Sequence, residues 1–234
     1  MKNIKMLVSD YDQTFYLNDQ DLQKNIEMID KFRKEGNIFV VATGRSYLDF
    51  KDKVKLYKFD YDYVILNHGA TILDNEDNVL SNFSIDDKVI NDIKIDLELE
   101  NSIKYFCCSK LESRIDFDYE SLTKIYSKYK SKQEAMNINK KINKKYSKYI
   151  NSYYVSTNAV EIISNETDKS KAIKLLLNKL NVSKENVYTI GDGYSDIQMI
   201  KDFNGYAMEK SVDKLKMISI KEYKSVSELI KEII

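Results

Sequence analysis

Short apolar runs alternate along this chain with stretches of helical period. Ile4 to Val8 is an apolar run that closes on Ser9-Asp10, and it predicts a buried first strand. From Asp19 to Glu35 the positions Leu22, Ile26, Ile29 and Phe32 share one helical face, and Gly36 is placed to end that helix. Ile38-Phe39-Val40-Val41-Ala42 predicts a second buried strand running into Thr43-Gly44-Arg45, with a helix from Ser46 to about Tyr57. A third strand, Tyr63-Val64-Ile65-Leu66, ends at Asn67-His68-Gly69. Strands that alternate with helices predict a parallel α/β sheet.

The middle of the chain changes character. Thr71-Ile72-Leu73 and Val79-Leu80 flank the polar segment Asp74 to Asn78 and read as a hairpin. A helix is expected from Asp86 to about Glu100, then a strand from Ile103 to Cys107. The Lys-, Tyr- and Ser-rich stretch from about Tyr119 to Tyr149 reads as helix. Ser152 to Thr157 and Ala159 to Ser164 read as two strands with Thr157-Asn158 at the turn. The α/β rhythm returns at Asp168, where Ala172, Ile173, Leu176 and Leu180 form a helical stripe. Val187-Tyr188-Thr189-Ile190 is a strand ending in Gly191-Asp192-Gly193, followed by a helix from about Ser195 to Asp202. Ser225-Val226-Ser227-Glu228 has the pattern of a capping box opening a last helix. The expected architecture is α/β: a Rossmann-like parallel-sheet core from residues 1–75 and 160–234, with an α/β cap domain inserted at residues 76–159.

Composition narrows the partners. At 234 residues the chain can bury about three-quarters of its unfolded surface, so no covalent staple is required. Lys and Arg together number 37 and Asp and Glu also 37, a balance that argues against a nucleic-acid or anionic-membrane surface. The two cysteines, Cys107 and Cys108, are neighbours whose side chains would leave a strand on opposite faces, so a bridge between them is not expected. No Cys/His cluster offers a zinc site. The N-terminal apolar run is too short for a signal peptide, and none approaches transmembrane length, so a cytoplasmic protein is expected. Helical spacing and biased composition explain the tyrosines from Tyr126 to Tyr154 better than stacking on nucleic-acid bases does.

Three predicted strands end in polar groups: Asp10 and Asp12, Thr43, and Asp192 with Asp196. In an open parallel sheet all of these fall on the carboxyl edge, where ligands bind. Their chemistry suits phosphoryl transfer. An ionised aspartate can attack phosphorus without an activating base, and a second carboxyl can carry the proton for the leaving alcohol and for water. Several carboxylates in one crevice call for a hard cation, for which Mg²⁺ is apt. A hydroxyl, backbone N–H groups and a lysine would meet the charge on the transferring group, and Thr43, Gly44 and Lys169 can supply them.

Four motifs in order, Asp10-Tyr11-Asp12-Gln13-Thr14, Thr43-Gly44-Arg45, Lys169 and Gly191-Asp192-Gly193-Tyr194-Ser195-Asp196, resemble those of the haloacid dehalogenase superfamily of phosphatases. The large insertion between the second and third motifs is similar to the Cof-type (class II cap) branch. The resemblance implies Asp10 as nucleophile, Asp12 as general acid/base, and Thr43 and Lys169 as phosphoryl contacts. It implies Mg²⁺ held by Asp10, the Asp12 backbone carbonyl and Asp192, with Asp196 in support. A small phosphorylated metabolite, such as a sugar phosphate or phosphorylated cofactor, would be the substrate.

Gln13 departs from the family, where glycine is usual, and so do Ser195 and His68, where Asn is more frequent. Lys171 competes with Lys169, but Lys169-Ser170-Lys171-Ala172 aligns better with the family's Lys-Gly-x-Ala. Gly44, Arg45 and His68 are candidate substrate contacts, although Arg45 could equally pair with a carboxylate and a lone histidine is commonly structural. A receiver domain would put its aspartate after the third strand, where this chain has Asn67-His68-Gly69, and a dinucleotide fold would need glycines where Ser9-Asp10 stands. A phosphomutase and a non-catalytic binding protein stay open as alternatives.

Overall fold

The computed structural model describes residues 4–155 and 158–234. The chain begins with β1 (Met6–Ser9), α1 (Asp19–Lys34), β2 (Ile38–Ala42), α2 (Tyr47–Tyr57), β3 (Tyr63–Leu66) and the hairpin β4 (Thr71–Asp74) and β5 (Val79–Asn82). A second group follows: α3 (Asp87–Asp96), β6 (Lys104–Cys108), β7 (Ser113–Ile115), β8 (Lys124–Lys128), α4 (Lys132–Tyr146), β9 (Ile150–Val155) and β10 (Ala159–Ser164). The chain then returns through α5 (Lys169–Leu180), β11 (Val187–Gly191), α6 (Ile197–Asp202), β12 (Asn204–Met208), α7 (Asp213–Lys216), β13 (Glu222–Tyr223) and α8 (Val226–Ile233).

Two sheets result. The larger runs β13-β12-β11-β1-β2-β3-β4-β5, parallel from β13 to β3 and antiparallel across the hairpin. Its central strands β1, β2 and β3 are buried on both faces, which is why they read as nearly unbroken apolar runs. Leu7, Phe39, Val41, Val64 and Ile190 pack with α1 and α8, whereas Met6, Val8, Val40 and Ile65 pack with α5, α6 and α7. The chain leaves β1 for β2 and β3 on one side and later adds β11, β12 and β13 on the other. A topological switch therefore lies between β1 and β11, and a crevice opens at their carboxyl ends.

The smaller sheet is antiparallel, in the order β7-β6-β8-β10-β9. Cys107, Ile125, Val160 and Ile162 bury one face against α3 and α4. By strand alternation Phe106, Lys124, Tyr126, Tyr153 and Glu161 belong to the other face, which looks across at the crevice. Both cysteines are buried and free, on opposite sides of β6. No described helix is long and apolar enough to cross a membrane.

Several expectations need adjusting. The hairpin pairs with β3, so the large sheet continues to Asn82 instead of stopping at residue 75, and β10 belongs to the small sheet through Ser164. The stretch from Tyr119 to Tyr149 is not one helix. Ile125, Ser127 and Tyr129 turn inward at period two in and beside β8, and the Ser131 side chain then accepts from Glu134 N–H to start α4. The capping box at Ser225 is also replaced: its hydroxyl pairs with that of Ser227 at 2.8 Å, and Glu228 reaches back to Lys224 N–H at 2.9 Å. Thr157, expected at the end of a strand, lies outside the described residues.

Candidate active site

The first motif is a turn locked by its aromatic residues. β1 ends at Ser9, and the chain then folds back with Phe15 N–H donating to Asp10 C=O at 3.1 Å and Tyr16 N–H to Tyr11 C=O at 2.8 Å. Tyr11 and Phe15 are fully buried in a cluster with Phe50 and Phe59, with ring centroids 5.3–6.3 Å apart. Burying them leaves Asp10 and Asp12 facing the crevice. The two carboxylates share a side because this turn places them there, not because a strand's pleat does. Gln13 sits within the turn at φ +63°, a left-handed conformation that explains why glycine suits the position.

Asp10 lies at the mouth of the topological switch. Lys169, the first residue of α5, donates from Nζ to Asp10 Oδ1 and to Asp196 Oδ1, both at 2.6 Å. The other Asp196 oxygen accepts from the backbone N–H groups of Asp192 and Gly193, at 3.1 and 2.9 Å. Asp196 thus ties the lysine to the loop after β11. A side chain at Gly191 would collide with the Asp196 carboxylate, which accounts for a glycine there. Thr14 adds a hydroxyl to Asp192 Oδ1 at 3.0 Å. Lys171 points elsewhere, to Asn165 C=O at 2.7 Å.

The electrostatics favour an additional cation. Asp10, Asp192 and Asp196 each bring a carboxylate oxygen within 4.8 Å of the others, against one buried ammonium. Three negative charges and one positive leave a formal charge of minus two. Burial opposes the Lys169 charge, but Asp10 and Asp196 outweigh it and hold its pKa above the ordinary lysine range. Burial and then the neighbouring Asp196 push Asp192 up to about 6. An all-oxygen donor set with two uncompensated charges fits a hard divalent cation.

The remaining predicted residues meet at the same crevice. Arg45 grips both Asp12 oxygens, at 2.8 and 2.6 Å, while its guanidinium carbon lies 5.3 Å from the Tyr11 ring centre. Thr43 is buried just beneath, where its hydroxyl accepts from Arg45 N–H at 3.1 Å. Asp10, Asp12, Gly44, Arg45, His68, Asp192 and Asp196 all line a cleft of about 1000 Å³ between the two sheets, and Thr43 and Lys169 lie behind its wall.

His68 makes a contact that sequence did not suggest. Its Nε2 bonds to Glu161 of β10, and its ring covers Gly44 so closely that a β-carbon there would clash. Lys124 of β8 donates to Gly44 C=O at 2.6 Å and lies 3.5 Å from Glu161. Burial pushes the Glu161 carboxyl up, but Lys124 and then His68 outweigh it and hold its pKa at about 2. These three side chains join the small sheet to the large one. Glu161 is the single acid in the apolar run Ala159 to Ser164, a departure from pattern that could have marked it in the sequence. Lys124 carried no such signal, being one lysine in a lysine-rich stretch.

A profile of haloacid dehalogenase-like hydrolases matches residues 7–115 and 108–228. A protein of Buchnera aphidicola subsp. Baizongia pistaciae, provisionally named a phosphatase, is 26% identical over 260 residues, covering 95% of each chain. A solved haloacid dehalogenase-like hydrolase from B. subtilis superposes with a TM-score of 0.86 at 19% identity, over 99% of this chain and 100% of that one. A solved subclass IIB sugar phosphatase of the superfamily gives 0.80 at 16% identity, over 98% and 100%. At such identities the two structures speak to the fold.

Proposed function

Because the chain belongs to the haloacid dehalogenase-like hydrolases, we propose that it is a Mg²⁺-dependent phosphatase acting on small phosphomonoesters through a phosphoryl group carried on Asp10. The observation that carries this reading is the Asp10 carboxylate itself. It is buried at the switch between β1 and β11, held by Lys169 and open to a cleft large enough for a metabolite.

In this reading an Asp10 oxygen attacks phosphorus, forming an O–P bond as the bond to the leaving alcohol breaks. Asp12 gives that alcohol its proton. Water then attacks the acyl phosphate, Asp12 takes a proton from it, and inorganic phosphate departs as the Asp10 carboxylate is restored. Arg45 holds Asp12 at the cleft wall between these transfers. Lys169 would offset charge on Asp10 and on the phosphoryl oxygens, and the Thr43 hydroxyl and Gly44 backbone N–H would donate to those oxygens. Asp10 and Asp192, with the Asp12 backbone carbonyl, would hold Mg²⁺, and Asp196 fixes their loop. Bound there, the ion supplies charge neutralisation for the carboxylates and the phosphate.

The small sheet and its helices form the cap of this reading, with Lys124, Tyr126, Tyr153 and Glu161 facing the leaving group's side of the cleft. The test is phosphate release from an aryl phosphate and a panel of sugar phosphates, with and without Mg²⁺. Metal-dependent release that disappears in Asp10→Asn is expected. Release that persists in that variant, or that ignores chelation, would exclude the mechanism.

A further inference from the structure

The charged groups lining the cleft divide into two sets. Among the acids, Asp10 and Asp196 share Lys169, Asp12 holds Arg45, Asp49 holds Arg114, Glu161 holds Lys124 and His68, and Asp192 accepts from Thr14. Lys104, Lys132 and Lys210 line the same cleft with no acidic partner among the described residues. They arrive from three places: β6, the first residue of α4, and the loop after β12.

Two of these lysines sit where local physics disfavours a cation. Lys104 of β6 is directly opposite Lys128 of β8 in an antiparallel pair, and Lys128 also has no acid partner among the described residues. Like charges placed directly opposite one another destabilise a sheet. Lys132 occupies the first turn of a 15-residue helix, where the helix's own field opposes a positive charge. Beside Lys104, the Phe106 and Tyr126 rings stack at 4.6 Å and give the cleft a flat apolar floor. Lys104, whose ammonium lies 5.6 Å from the Phe106 ring centre, and Lys132 thus break two local rules as cations without an acidic partner lining one cleft, and they point to an anion that completes them.

We propose that the leaving group carries a second anionic group, a carboxylate or another phosphate, held by Lys104 and Lys132 of the small sheet and α4 with Lys210 of the core. The inference rests on the phosphatase reading for the position of the first phosphate. It narrows the substrate from phosphomonoesters in general to phosphorylated acids and bisphosphates. The reaction that supplies this substrate is then one that phosphorylates a molecule already bearing an anionic group.

Matched pairs test it: glycerol phosphate against phosphoglycerate for a carboxylate, and fructose monophosphate against fructose bisphosphate for a phosphate. In the intact chain with Mg²⁺, the doubly anionic member of at least one pair is expected to have a kcat/KM about tenfold higher, as two or three partly exposed ion pairs would give. That ratio should fall toward one in Lys104→Met with Lys132→Met, survive in Lys104→Arg with Lys132→Arg, and shrink with added NaCl. Taking the ratio within each variant cancels any loss common to both substrates. The pair that responds identifies the group. A ratio near one for both pairs in the intact chain, or a preference undiminished in the methionine variant, overturns the proposal while aryl phosphate turnover upholds the phosphatase reading. If aryl phosphate itself is not turned over, that reading fails instead. Calorimetric binding of the same pairs to Asp10→Asn then decides this one: tighter binding of the doubly anionic member supports it, and equal binding overturns it.

Discussion

Replacing Glu161 by glutamine tests what holds the small sheet against the large one. Glu161 is 8% exposed and bonds to His68 of the core while lying 3.5 Å from Lys124. Its carboxyl titrates at about 2, against an ordinary 4.5, because Lys124 and His68 overcome the cost of burial. At 1.36 kcal/mol per pKa unit, the ionised form contributes about 3 kcal/mol to the folded state. Glutamine keeps the shape and one acceptor but leaves Lys124 buried with only Gly44 C=O. The sign follows from a depressed pKa: the contribution is complete above the unfolded value near 4.5 and is lost as pH falls toward 2. Urea unfolding of both proteins should therefore show Glu161→Gln less stable by about 3 kcal/mol near pH 6, with the gap clearly narrower near pH 3. A gap that is the same at both pH values, or no gap at all, would refute the buried ion cluster as the link between the sheets.

Three further substitutions have outcomes set by the same structure. Gln13→Gly relieves a left-handed backbone at φ +63° and should raise stability by about 0.5 kcal/mol, or ~1–2 °C in Tm by calorimetry; a lower Tm would contradict this. The Tyr11 hydroxyl is buried without a hydrogen-bond partner among the described residues, so Tyr11→Phe should be neutral or stabilising, by up to about 1 kcal/mol in denaturant melts, where a loss would show the hydroxyl is satisfied. Lys169→Met leaves the carboxylates of Asp10 and Asp196 without their ammonium; kcat should fall about 10²–10³-fold, and near-normal turnover would remove Lys169 from the site.

What was legible in the sequence was what a strand end determines. The central strands are largely buried on both faces, so Ile38 to Ala42 and, but for Thr189, Val187 to Ile190 declare themselves as apolar runs, and the polar residue that follows each must stand at the ligand edge. That is why the sequence alone brings Asp10, Thr43 and Asp192 to one edge. Long-range contacts were not legible. Glu161 and Lys124 meet Gly44 and His68 only because the small sheet folds down over the crevice, and no local pattern encodes that docking. β8 was hidden for another reason: Tyr126 and Lys128 face the cleft side and Ser127 is buried, so the strand lacks an apolar/polar alternation. The conformation of Gln13 became clear only with its φ, since glutamine gives no hint of a left-handed turn.

The central claim is a covalent bond between Asp10 and phosphorus, and the most direct measurement is to trap it. The protein would be mixed with a fast-turnover phosphomonoester and Mg²⁺, quenched in acid within the first turnover, digested, and its peptides weighed. The account predicts a phosphoryl adduct on the peptide containing Asp10, absent without Mg²⁺ and absent from Asp10→Asn. An adduct on another residue, or full phosphate release with no adduct at any time point, would contradict it.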